Sequence, residues 1–196
     1  MTRLLMKALF GLLSMVVLAP AHATIINLQT MLSGANENPI VGTPGTGSAT
    51  VVIDTILNTM FVGVTFSGLT AVTSASHIHC CAVAPLNAGV ATTTPSFAGF
   101  PLGVTSGSYA STLDLTLLSS YNPAFVALHG GTALGAEAFL VAGMTAGQSY
   151  LNIHTVSNPG GEIRGQLLVV PEPETLALLA GAILFGALGG RRRRAR

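Results

Sequence analysis

Residues Leu151–Gln166 read LNIHTVSNPGGEIRGQ. Two runs rich in apolar and β-branched residues flank the turn Ser157-Asn158-Pro159-Gly160-Gly161, which is the composition of a β-hairpin. Successive strand side chains point to opposite faces, so Tyr150, Asn152 and His154 share one face of the first run and Leu151, Ile153 and Thr155 the other. In the second run Glu162 and Arg164 share a face and Ile163 turns away. The hairpin therefore gathers an imidazole, an amide, a carboxylate and a guanidinium on the side opposite its apolar residues. Upstream, His77-Ile78-His79 repeats the alternation and projects two imidazoles from one face of another strand.

The same period of two organises the chain before the hairpin. Ile25–Leu32 alternates as a first strand, and Gly34–Pro39 is a turn-rich break. Ser48–Ile56 and Met60–Leu69 are β-branched and aromatic, joined by Leu57-Asn58-Thr59. A fourth strand spans about Ala75–Cys80, and Tyr109–Leu117 a fifth, with Leu113, Leu115 and Leu117 on one face. Between these two, Ala82–Ser108 is rich in Gly, Pro and Thr without sustained periodicity and reads as a long loop, of the kind that is often functional or locally structured. Asn122-Pro123 is a helix start with Asn as N-cap and Pro at the first position, and Gly130-Gly131 is its end. A second short helix is expected over Thr132–Ala142, closed by Gly143. His129, in the last turn of the first helix, suits the helix dipole and needs no ligand.

Charge narrows the function classes. From Thr24 to Val170 the acidic residues are Glu37, Asp54, Asp114, Glu137 and Glu162, and Arg164 is the single basic one. A domain with one cation cannot neutralise a row of phosphates, which excludes nucleic acid as a partner. That lone cation is expected to pair with Glu162 or Glu37, forming a structural polar cluster of Glu37, Asn152, Glu162 and Arg164. Cys80 and Cys81 are adjacent and admit three readings: a vicinal disulfide, two buried small apolar residues, or soft metal ligands beside the histidines. A structural role is favoured, since cysteine is among the most buried residue types.

The two ends differ from this domain. Arg3 and Lys7 precede an apolar run, Ala8–Leu18, and Ala21-His22-Ala23 follows. This is the pattern of a secretory signal peptide over residues 1–23, cut by a signal peptidase. At the other end, Pro171-Glu172-Pro173 precedes an apolar stretch, Leu176–Gly190, and then Arg191, Arg192, Arg193 and Arg194. As a helix those fifteen residues span about 22 Å, short of the roughly 30 Å hydrocarbon core.

Three resemblances follow from these motifs. His77-Ile-His79, Tyr150-Leu-Asn-Ile-His-Thr155, Pro159-Gly-Gly-Glu-Ile-Arg-Gly-Gln166 and the opening Leu32-x-Gly34-x-Asn-Glu37-x-Pro39 together resemble the CHRD domain, over residues 24–170. The resemblance implies an all-β, immunoglobulin-like antiparallel sandwich with no established biochemical activity, to which the capping signals add one or two short helices. Cys80-Cys81 stands where many members have glycine. The tail, residues 171–196, resembles the PEP-CTERM sorting signal of Gram-negative bacteria. That implies recognition by an exosortase, a transient membrane stay of the C-terminal helix, and delivery to the cell envelope, cell surface or medium, often beside exopolysaccharide. Finally, a His-x-His on a β-sandwich is similar to copper-zinc superoxide dismutase, but the four histidines left after the leader cannot build that bimetallic site.

The expected function is thus an exported, non-enzymatic surface or matrix module that meets a polysaccharide or a surface protein. No nucleophile elbow or Cys-His-Asn order points to a hydrolase. The alternative is a metal-binding, redox-related domain in which His77, His79 and His154 hold one zinc or copper ion, with a position left open for water.

Overall fold

The computed structural model describes residues 25–171, so the expected leader, residues Glu172 and Pro173, the apolar helix and Arg191–Arg194 lie outside the described residues. Eight strands form in the order β1 (Ile25–Ser33), β2 (Thr46–Asp54), β3 (Thr59–Ser67), β4 (Thr73–Cys80), β5 (Gly107–Asp114), β6 (Ser149–Thr155), β7 (Ile163–Gln166) and β8 (Leu168–Val169). Two helices, α1 (Pro123–Leu128) and α2 (Ala133–Thr145), lie between β5 and β6. All pairings are antiparallel, and hydrogen bonds run along the path β4-β6-β7-β1-β2-β3-β5, with β8 on β1.

The fold is a single curled sheet. Ile78, Leu151, Ile153 and Ile163 from the β4-β6-β7 limb join one buried cluster with Leu28, Leu32, Val51, Ile53, Met60, Val62, Val64 and Phe66 from the β1-β2-β3-β5 limb. Apolar faces with a period of two can leave water only by meeting each other, and the curl brings them together. Leu115, Tyr121, Phe125, Leu140 and Met144 belong to the same core. The seam between the limbs is narrow: β1 meets β7 at Ser33↔Arg164 and β8 at Leu28↔Val169 and Gln29↔Leu168.

Side chains set several boundaries differently from the expectation. β2 ends at Asp54 rather than Ile56, because the Asp54 carboxylate accepts from the N–H groups of Ile56 and Leu57 and turns the chain out of the ladder. Asn58 then supplies the left-handed position of the turn, at φ 51°. β5 stops at Asp114 by the same device, its carboxylate accepting from Thr116. Leu117 is consequently exposed, not on the core face with Leu115. Helix α2 runs past Gly143 to Thr145. The helix caps behave as read: Asn122 Oδ1 accepts from Ala124 N–H, and Thr132 Oγ1 from Gly135 N–H.

The segment 81–106 is a loop laid along the outer edge of β4. Cys80 N–H donates to Gly89 O, Ala91 N–H to Ile78 O, Phe97 N–H to Ser76 O and Gly103 N–H to Thr73 O. An edge strand offers unpaired backbone groups, and this irregular cover satisfies them. It also roofs the polar face of β4 and β6.

Candidate metal centre

On that roofed face the ladder sets the side chains in rows. His77 lies opposite Asn152, His79 opposite Tyr150 and Ala75 opposite His154, so His77 and His154 are diagonal neighbours. Across β6 and β7, Asn152 lies opposite Arg164. His77, His79, His154, Asn152, Tyr150 and Arg164 are all buried, although the face is the outer one of its limb.

Each imidazole has one nitrogen committed to a backbone carbonyl: His77 Nε2 to Pro95 O at 2.6 Å, His79 Nδ1 to Ala88 O at 2.9 Å and His154 Nδ1 to Pro159 O at 2.9 Å. A carbonyl oxygen only accepts, so the hydrogen sits on those three nitrogens. In neutral rings the remaining nitrogens, His77 Nδ1, His79 Nε2 and His154 Nε2, carry lone pairs. His77 Nδ1 and His154 Nε2 face each other at 3.3 Å, and His79 Nε2 is buried with no partner. One nitrogen from each of the three rings lies within 4.8 Å of the others. Burial holds all three rings below the ordinary histidine value, His79 down to about 4, so protonation does not relieve the opposed lone pairs at neutral pH.

A cation relieves them. Two imidazoles on a tetrahedral zinc ion, with bonds of about 2.0–2.1 Å, stand about 3.3 Å apart, the separation between His77 and His154. Carbonyls on the far nitrogens are the outer partners that fix tautomer and ring direction in metal sites. The three histidines could therefore hold a metal ion, and imidazole nitrogens suit zinc or copper.

The flanks brace the cluster. Tyr150 stacks on His79 with centroids 4.8 Å apart, and the Arg164 guanidinium lies 4.5 Å over the other part of this stack, on the Tyr150 ring. Arg164 donates to Asn36 O at 2.5 Å, Asn87 Oδ1 at 2.6 Å and Pro85 O at 2.7 Å, tying the early turn and the roof to β7. Its carboxylate neighbour is Glu37, at 3.9 Å. Because the guanidinium donates elsewhere, burial outweighs its attraction and raises Glu37 to about 7. Glu37 Oε1 and Asn152 Oδ1 are buried without partners.

Glu162 does not pair with Arg164. β7 starts one residue later, so strand alternation does not bind Glu162, and its carboxylate instead accepts from Thr43 Oγ1, Thr70 N–H and Oγ1, Thr155 Oγ1 and Asn158 Nδ2. Burial alone would raise its pKa, but those donors outweigh burial and lower it. Cys80 and Cys81 are joined as a vicinal disulfide. His129 lies away from the cluster, stacked on Phe139 at 3.7 Å. Tyr150 was legible as a member of the polar face. The carbonyls of Ala88 and Pro95 were not, since they lie in a loop without periodicity.

A mostly antiparallel β domain with a buried tri-histidine cluster on a roofed sheet face is the class of protein defined so far. The CHRD domain model matches residues 28–167, and the chain belongs to that family. A second model, the PEP-CTERM protein-sorting motif, matches residues 169–194. That motif indicates export to the cell envelope or surface in Gram-negative bacteria and implies processing by an exosortase. No curated protein and no solved structure matches the chain. Among the described residues, no helix is long and apolar enough to cross a membrane.

Proposed function

We propose that this protein is a surface-displayed, non-enzymatic CHRD module that carries one zinc or copper ion on His77, His79 and His154. The observation that carries the reading is the convergence of three buried lone-pair nitrogens whose other nitrogens all donate to backbone carbonyls. Such an ion would supply Lewis acidity, or electron transfer if it is copper. The chain supplies the three ligands, their orientation and the exclusion of bulk water. Residues 1–23 act as the leader, and the apolar stretch Leu176–Gly190 holds the protein in the membrane until sorting. The curled sheet is read as an immunoglobulin-like sandwich whose two facing limbs stay hydrogen-bonded at one seam.

A second reading concerns what the module meets outside the cell. The outer face of β1, β2, β3 and β5 presents uncharged side chains in register, Gln29–Thr50–Gly63–Ala110 and Met31–Ser48–Thr65–Ser108, beside the half-exposed ring of Phe61. Hydroxyls beside an aromatic ring favour a neutral polysaccharide or an uncharged protein surface. Pull-down from the matrix fraction with wild type and Phe61→Ala tests it, and equal recovery of both would refute it.

The metal reading is tested by elemental analysis of protein purified without chelator or affinity tag. Near-stoichiometric zinc or copper is expected in the wild type and is lost in His77→Ala and His154→Ala. A wild type that stays metal-free after incubation with either ion overturns the proposal.

A further inference from the structure

The cysteine pair sits where it can govern the centre just described. Cys80 follows the ligand His79 at the end of β4 and is buried, whereas Cys81 is half-exposed and opens the roof loop. A few residues along that loop, Ala88 accepts the His79 Nδ1 hydrogen, and the Tyr150 hydroxyl accepts from Ala88 N–H at 3.1 Å. Pro85 and Asn87 of the same stretch hold Arg164. Cys80 N–H donates to Gly89 O, and Ala82 N–H to Gln148 O. The disulfide is thus the covalent corner from which the roof segment carrying the His79 partner departs.

The corner has no slack. Both sulfurs press on Gly143 of α2, at the place where a side chain would start: a Cβ there would overlap Cys81 Sγ and Cys80 Sγ. Bonded sulfurs in a disulfide stand about 2.05 Å apart. Two thiol sulfurs are non-bonded atoms and need close to the 3.5–4.0 Å of ordinary van der Waals contact. Cys80 is fixed by β4 and the core, and the backbone of α2 closes the other side. Cys81, the half-exposed partner, is the group that must move, and the loop moves with it.

Resting on the metal reading above, we propose that the Cys80–Cys81 disulfide is a redox latch on the tri-histidine centre: its reduction releases the 82–89 roof segment from His79 and weakens metal binding. The reductant is a dithiol or a phosphine. With a dithiol, its thiolate attacks the half-exposed Cys81 sulfur, the Cys80 sulfur leaves as a thiolate and takes up a proton, and the second thiol of the reductant displaces Cys81. The S–S bond is exchanged for two S–H bonds in the protein, while the dithiol becomes a cyclic disulfide. Loss of an outer hydrogen-bond partner of a metal ligand lowers affinity 10–100-fold, and this is the size of the effect expected.

The test is competitive zinc titration on full-length protein in three forms: oxidised, reduced with a phosphine and desalted without oxygen, and the Cys80→Ser/Cys81→Ser variant. The oxidised form should bind one zinc ion, and the other two about 10–100-fold more weakly. Reoxidation of the wild type should restore the affinity. The variant excludes recruitment of zinc by the freed thiols, and reversibility in the wild type keeps the test decisive if the variant does not fold. Equal affinity in the oxidised and reduced forms, or tighter binding on reduction, overturns the latch while leaving the metal centre standing. Failure of the oxidised form to bind zinc, and copper in a parallel titration, overturns the metal centre and the latch with it.

Discussion

Arg164 shows how much one side chain can carry when a domain has a single cation. It is 4% exposed, makes three hydrogen bonds to two other segments and covers the ring that stacks on His79. Arg164→Ala is expected to destabilise the fold by about 3–5 kcal/mol, as for breaking a buried charged network, with chemical denaturation as the measurement. Its neighbour Glu37 gives a pH signature. A carboxyl raised to about 7 in the folded state, above its ordinary value of 4.5, binds its proton more tightly when folded, so it contributes a loss of stability as pH rises from about 4.5 to 7. Glu37→Gln mimics the protonated form. The melting temperature of the variant should therefore gain on the wild type as pH rises through that window, and a constant difference would refute the assignment. The three histidines act in the opposite sense. Their pKa values are lowered, so stability is lost as pH falls below about 6.5, and His79 continues the loss to about 4. At this scale alternation alone located His77, His79, His154, Asn152 and Arg164 on polar faces. It misplaced Glu162 because the residue precedes its strand, where alternation has no force.

At the scale of elements, hydrophobic period and caps placed the strands and both helices, because these signals are local. The ends of β2 and β5 moved inward, since Asp54 and Asp114 satisfy turn N–H groups with their own carboxylates. Gly143 misled for another reason. It reads as a helix stop but is a contact surface, required because the cysteine sulfurs occupy the space of its side chain. Gly143→Ala should accordingly loosen α2 from the end of β4, with a cost of about 1–3 kcal/mol from overpacking. Helical propensity alone predicts a gain of up to about 1 kcal/mol for the same change, so a calorimetric melt decides between the two by sign. Glu162→Gln, which faces donors from four residues with an amide, should cost about 3 kcal/mol and free the 156–162 turn, measured by amide exchange at Ile153 and Ile163.

For the whole molecule, the class was legible from the alternating pattern, but the path of the sheet was not, because pairing partners far apart in sequence leave no local trace. The seam between the limbs rests on Ser33↔Arg164 and the short β8, which no periodicity could announce. The histidine cluster was half visible: its members came from spacing, whereas two of the carbonyls that orient them, those of Ala88 and Pro95, come from the tertiary path of an aperiodic loop. At this scale the sorting motif also gives a prediction. Protein recovered from the surface of a host with an exosortase should begin near Thr24 and lack the segment after Pro171-Glu172-Pro173, as read by intact mass; retention of Leu176–Arg196 would leave a plainly anchored protein.

The burial of Arg164 has a last consequence, for digestion. Between Lys7 and Arg191 it is the single residue after which trypsin can cut, and it lies inside β7 with its neighbours Ile163 and Gly165 also buried. The folded domain offers such a protease no accessible bond, while the arginines at the chain end lie outside it. Brief trypsin treatment should trim the terminus and leave the domain whole. Cleavage after Arg164 should then appear only as fast as the domain opens, turning a single scissile bond into a gauge of global unfolding.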